Sequence, residues 1–179
     1  IGKNPGRDEV QIRRNFVGPT SSVFFDALVE LGVRDTDWAA WYATNLVKWP
    51  LLDDQSDGVP IAHKKDCEIL LEQEIRLVRP DFILRLGSDA SKALLGTAYG
   101  VNAMVGRVLE YTVGLQLPGE TPTQHTAKVM AVTHPAQVYR RPEMFDEFKT
   151  QLALFLSLTN GADIGGRETF IKHENVYHA

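Results

Sequence analysis

Two loops at opposite ends of the sequence carry the side chains best suited to chemistry. The first, Gly2-Lys3-Asn4-Pro5-Gly6, follows an apolar Ile1 that reads as the end of a buried strand. Glycine permits positive φ and proline removes an N–H, so regular structure breaks here. Exposed backbone N–H groups beside the Asn4 amide can hold a water or a developing anion. The second loop, Thr133-His134-Pro135-Ala136, sets an imidazole behind the apolar run 129–132. Each loop alone is equally consistent with an ordinary turn. Asn45 and Ser88 stand in comparable places, at the ends of segments 41–45 and 81–87. Ligands bind at strand carboxyl ends in an open parallel sheet, so Asn4, Asn45, Ser88 and His134 point to one shared site.

The elements that must position these residues alternate. Thr20-Ser21-Ser22 offers N-cap hydroxyls and Gly32 a stop, with Val23, Phe24, Ala27, Leu28 and Leu31 at helical spacing between them. Trp41-Tyr42-Ala43-Thr44-Asn45 is aromatic and β-prone and reads as a strand, followed by a polar loop over 51–62. A long helix is expected from about His63 to Val78, with Cys67, Leu70, Leu71, Ile75 and Val78 inward and Pro80 ending it. Asp81 to Gly87 reads as a strand, and Ser88-Asp89-Ala90 as the start of a helix that Gly96 stops. The pattern from Thr97 to Gln124 is weak, with short strands expected at Val105–Tyr111 and Val113–Leu117. Lys128 to Thr133 is the last clear strand and Pro142 to Leu158 the last clear helix. Strands alternating with helices predict an α/β domain with a mainly parallel sheet and helices on both faces.

With 179 residues, 44% of them hydrophobic, the chain is long enough for one sizeable core. A net charge of −4 excludes a general attraction to phosphate, so nucleic-acid binding needs a local basic cluster. Cys67 is the single cysteine, which excludes an intrachain disulfide and suits a cytoplasmic, bacterial or phage-type setting or another reducing compartment. No apolar run approaches about 18 residues, so no membrane span is expected. The opening at a strand end suggests further chain upstream. Beyond Thr159-Asn160-Gly161, residues 159–179 read as a linker toward a further domain or as an edge strand built on Thr169-Phe170-Ile171.

In order, the chain presents Gly2-Lys3-Asn4-Pro5-Gly6 followed by Glu9, then Asn15-Phe16-Val17-Gly18 and Ala43-Thr44-Asn45-Leu46-Val47-Lys48. Arg79-Pro80-Asp81 then leads into Leu86-Gly87, Ala90 and Ala93-Leu94-Leu95-Gly96, and Thr133-His134-Pro135-Ala136 is followed by Arg140. In this combination the chain resembles the uracil-DNA glycosylase superfamily, nearest to the branch that in most members carries an iron–sulfur cluster. The resemblance runs from Gly2 to about Leu156. It implies a three-layer sandwich over residues 1–158, with a four-stranded, mainly parallel central sheet. It also implies hydrolysis of the N-glycosidic bond of uracil or a modified pyrimidine flipped out of single- or double-stranded DNA.

The roles it implies are chemically apt. Phe16 would stack under the base, with Gly2 lining the same crevice. Asn45 would donate to O4 and accept from N3–H, His134 would donate to O2, and Asn4 would place the attacking water, with Glu9 helping to hold it. Val138 or Tyr139 would wedge the duplex, and Arg140, Arg141 and Ser88 would meet phosphates. Each has a plainer alternative: a structural histidine, a core phenylalanine, an Asn45 that caps local backbone, a solvated Glu9, a surface Lys48, an N-cap Ser88.

Departures from the pattern matter too. Lys3 stands where the branch usually has Glu, and Asn4 where it has Ala, which resembles the mismatch-specific and single-strand-selective branches. Trp49 stands where a cluster cysteine is expected and only Cys67 matches a ligand, so no iron–sulfur cluster is expected and Trp49 packed near Cys67 would fill its space. His63, His125, His173 and His178 lack metal-ligand spacing, so no metal is expected. An alternative function is a catalytically silent DNA-binding or scaffold module within a larger replication or repair polypeptide, such as one carrying a polymerase.

Overall fold

The computed structural model describes residues 1–51, 61–87, 105–115 and 123–161. Helices α1 (Arg7–Ile12), α2 (Pro19–Glu30), α3 (Asp35–Ala39) and α4 (Ile61–Val78) precede strand β1 (Phe82–Leu86). Strands β2 (Val108–Leu115) and β3 (Thr123–Val132) follow, then α5 (Pro135–Arg140), a 3-10 turn at Pro142–Met144 and α6 (Phe145–Thr159). Helix α2 opens with Pro19 in its first turn, where a missing N–H costs nothing, and the chain leaves it through Gly32 at φ +80°. None of the described helices is long and apolar enough to cross a membrane.

The sheet order is β1-β3-β2. β1 runs parallel to β3 from Phe82↔Lys128 to Leu86↔Val132, and β2 runs antiparallel to β3 from Val108↔Met130 to Leu115↔Thr123. Side chains alternate across this sheet with period two, which builds a core on each face. Ile83, Leu109, Tyr111, Val113, Ala127, Val129 and Ala131 pack with Cys67, Leu71 and Ile75 of α4. Leu86, Met130 and Val132 face the other way, onto Phe24 and Leu28 of α2, Val138 of α5, and Phe148, Leu152 and Phe155 of α6. The result is an α/β arrangement of three layers.

The expected four-stranded, mainly parallel sheet is corrected, among the described residues, to three strands of mixed direction. The segment 41–45 is not a strand; only Asn45 forms an isolated parallel bridge, to Gly2. Trp41 explains why, since its ring packs edge-on against Trp38 at 5.2 Å and Phe155 at 6.2 Å. That aromatic cluster draws the segment away from a ladder that β-propensity alone would favour. In place of two short strands, the described residues of 105–117 hold one antiparallel strand, β2, with Val105 only bridging Ala131. On α4, Leu70 and Val78 prove 42% and 40% exposed rather than inward. The helix expected from Ser88, most of the 51–62 loop and the 162–179 tail lie outside the described residues.

Phe148 is fully buried between α6 and β3. Phe148→Ala is expected to lower unfolding free energy by about 3–5 kcal/mol, read from urea denaturation followed by circular dichroism; a change below about 1 kcal/mol would contradict this packing.

Candidate active site

Backbone hydrogen bonds bring four chain segments level at one edge of the sheet. Ile1 N donates to Leu84 O at 2.7 Å and Leu86 N donates to Ile1 O at 3.0 Å, which sets Ile1 beside β1 in parallel sense. Gly2 N donates to Thr44 O and Leu46 N to Gly2 O, both at 2.9 Å, which sets Asn45 on the other side of Gly2. Leu86 in turn pairs with Val132. The residues just past these points are Asn4, Asn45, Gly87 and His134, and all leave the sheet in one direction. Ser88 lies outside the described residues.

Gly2, Phe16 and Asn45 meet directly. A Cβ on Gly2 would lie 3.3 Å from Phe16 Cζ and would overlap Asn45 Oδ1, so only glycine fits between the ring and the amide. Phe16 holds its place at φ +57°, an uncommon value for an aromatic residue, with its ring edge-on to Trp38 at 6.0 Å and tilted to Phe24 at 6.3 Å. Asn45 is 7% exposed, and its Nδ2 donates to Asn15 Oδ1 at 3.2 Å. Asn15 Nδ2 donates to Ala43 O at 2.9 Å.

The Asn4 amide is turned by its own neighbour. Asn4 Nδ2 donates to Pro5 O at 2.9 Å, which leaves Oδ1 as the end able to accept. Glu9, expected to help hold a water, accepts from the Gly6 N–H through Oε2 at the start of α1, and so shapes the Asn4 loop.

His134 is the N-cap of α5, and its Nδ1 accepts from Ala136 N at 3.1 Å. An acceptor at Nδ1 places the ring proton on Nε2, which makes that nitrogen the donor of the ring. The ring lies against Gly87, where φ is +81° and a Cβ would stand 2.8 Å from both His134 Cβ and Cδ2. In the sequence Gly87 reads only as the end of a strand, within the Leu86-Gly87 match. Its pairing with a histidine behind a neighbouring strand could not be seen without the register.

On α5 the two wedge candidates separate. Val138 is 1% exposed in the core beneath α5, which removes it as a DNA-contacting residue, whereas Tyr139 is 52% exposed. Arg140 and Arg141 are both exposed beside it.

A cavity of about 440 Å³ also borders Phe16. Its walls are Trp41–Thr44 on one side and Pro80–Leu84 on the other, under Ile1, so it runs along the edge of β1 rather than over the carboxyl ends. The chemistry-bearing residues Asn4, Asn45 and His134 do not line it.

The profile of the Uracil DNA glycosylase superfamily matches residues 1–156. The chain belongs to the uracil DNA glycosylase superfamily. It is 30% identical over 176 residues to the Type-4 uracil-DNA glycosylase of Pyrobaculum aerophilum, covering 96% of this chain and 79% of that protein. It is 27% identical over 150 residues to the Type-4 uracil-DNA glycosylase of Archaeoglobus fulgidus, covering 84% of this chain and 70% of that one. Membership in the superfamily makes the chain a DNA glycosylase, a hydrolase of DNA repair.

Within this superfamily member, an iron–sulfur cluster would need four cysteine thiolates. The chain has one cysteine, and Cys67 is fully buried among Leu46, Val47, Leu71 and Ile75, with Trp49 packed against the same cluster. Among the described residues no group of three or more His, Cys, Asp or Glu could hold a metal ion. The residues of this glycosylase chain therefore do not fit a cysteine-ligated cluster.

Burial lowers the Arg85 guanidinium to about 9, which keeps it cationic at neutral pH.

Lys48 is no surface lysine. Its Nζ donates to Glu74 Oε2 at 2.6 Å, to Asn45 O at 2.8 Å and to Thr44 Oγ1 at 3.0 Å, while Thr44 Oγ1 donates to Glu74 Oε2 at 2.9 Å. The pair is mostly shielded from solvent, with side chains 21% and 27% exposed, so it ties the Asn45 backbone to α4. In a double-mutant cycle, Lys48→Met and Glu74→Gln are each expected to cost about 2 kcal/mol, with a coupling of about 1 kcal/mol. Additive losses would contradict the shared network.

Proposed function

We propose that this chain excises uracil, or a modified pyrimidine, from DNA by hydrolysing the N-glycosidic bond without a resident cofactor. The observation that supports it most is the common edge shared by Gly2, Asn45, Gly87 and His134, with Phe16 against Gly2. The relatives named Type-4 uracil-DNA glycosylase support uracil as the base.

A base inside a duplex is out of reach, so it is extruded before reaction. Phe16 stacks beneath it, an interaction worth about 1–3 kcal/mol per base. The Asn45 amide donates to O4 and accepts from N3–H. Cytosine presents the reverse pattern and leaves both partners unpaired. Asn4 Oδ1 accepts from a water O–H and aims the water's lone pair at C1′. As the C1′–N1 bond breaks, its electron pair moves onto the base and spreads to O2, where His134 Nε2–H donates. The water oxygen bonds C1′ and sheds its proton to solvent. Placement matters more than proton abstraction here, because a cation-like sugar is a willing electrophile.

Tyr139 fills the gap left in the stack, and Arg140 and Arg141 neutralise phosphates. Residues 1–158 act as the glycosylase unit.

The test is uracil-containing single- and double-stranded oligonucleotides, read as alkali-labile abasic sites. Cleavage is expected, with His134→Ala reducing kcat by roughly 100- to 1,000-fold, the scale for one oxyanion donor. No cleavage, with salt-dependent binding lost on changing Arg140 and Arg141, would replace this reading with the silent DNA-binding module. Anaerobically purified protein is expected to lack a visible absorption band; a brown chromophore would overturn the cofactor-free mechanism.

A further inference from the structure

Resting on the glycosylase reading, we infer that Asn15 is a positioning residue that sets base specificity by fixing which way round the Asn45 amide faces. An asparagine amide is nearly symmetric in shape, and rotating it by half a turn exchanges donor for acceptor. Rotated, Asn45 would offer an acceptor toward the N4 amine and a donor toward N3, the pattern that fits cytosine. A uracil reader must therefore prevent that rotation, and nothing in the shape of Asn45 does so.

The chain of partners does. Ala43 O can only accept, so the end of the Asn15 amide that lies 2.9 Å from it is Nδ2. That leaves Asn15 Oδ1 facing Asn45, and an oxygen that accepts demands Nδ2 from Asn45 at 3.2 Å. Asn45 Oδ1 then lies over the Gly2 α carbon, against the face where a base would enter. A rotated Asn45 would set two carbonyl-type oxygens against each other. Lys48 already holds the Asn45 carbonyl and Gly2 the flanking backbone, so side-chain rotation is the freedom left to restrain. Asn15 itself is exposed, so truncating it opens no cavity.

The experiment compares the 179-residue chain with Asn15→Ala and Asn15→Asp. Two quantities are read: hydrogen exchange of the Asn45 side-chain amide by ¹⁵N NMR, and excision of uracil and of cytosine from one oligonucleotide context. One neutral hydrogen bond sets the scale, so Asn15→Ala is expected to speed exchange and to cut the uracil-over-cytosine ratio by about tenfold. Asn15→Asp keeps an acceptor for Asn45 but loses the donor to Ala43 O, so it is expected to fall between wild type and Asn15→Ala on both readouts. A ratio within twofold of wild type in an active Asn15→Ala protein would overturn the inference, as would an Asn15→Asp protein that loses discrimination equally. Wild-type protein with a protected Asn45 amide but no activity on any base would remove the glycosylase reading, and the specificity role with it. An unprotected wild-type amide alongside normal uracil excision would remove the Asn15 lock alone.

Discussion

The site depends on two residues of extended backbone. Ile1 and Gly2 are hydrogen-bonded to β1 on one side and to Thr44 and Leu46 on the other, with Val47 N reaching Lys3 O at 2.8 Å just beyond. Backbone pairing has little tolerance for slip, because a shift of one residue turns every side chain to the other face. Register therefore does what no side-chain contact could do alone. It brings an amide from the first loop, an amide from the 41–46 segment and an imidazole behind β3 to a common level.

Absence of side chains matters as much as their presence. Gly2 gives room to Asn45 and Phe16, and Gly87 gives room to His134. At Gly87 the backbone is also left-handed, at φ +81°, so a substituent there meets strain as well as a clash. A ring held against a glycine cannot swing toward it, and the Ala136 N–H bond to Nδ1 holds its other side. Donor orientation at His134 thus follows from close packing plus one hydrogen bond. In the proposed reaction such an arrangement would be preorganised, since the donor need not move when charge appears on the base.

The candidate site was more legible in the sequence than the sheet that carries it. Asn4, Asn45 and His134 stand where polar residues follow apolar runs, and strand-end chemistry makes such positions visible. The direction of β2 was not visible, because its pattern between Arg107 and Leu115 reads the same in either sense and pairing partners lie outside it. Trp41–Asn45 misled for the opposite reason: its propensity is genuinely β-like, yet Trp38 and Phe155 recruit the indole. Val138 was misplaced because α5 is only six residues long, too short for periodicity to reveal its inner face. Lys48 and Asn15 lie within the quoted motifs, but no role for either could be read from them. Their meaning lies in partners 26 and 30 positions away.

Those two distant partnerships hold the segment around Asn45 in order. Cys67 sits in apolar packing on α4, and Trp49 lies against the same core, so hydrophobic burial holds this region together. Burial alone is non-directional and would let the Thr44–Lys48 segment slide over α4. The Lys48–Glu74 pair supplies the direction, since its hydrogen bonds end on Thr44 Oγ1 and Asn45 O. α4 thus acts on the site through two layers of control: packing that fixes its distance from the sheet, and a charge-assisted network that fixes the angle at which Asn45 leaves it. Asn15 then needs to restrain only the final torsion, which is why an exposed residue with two neutral hydrogen bonds suffices there.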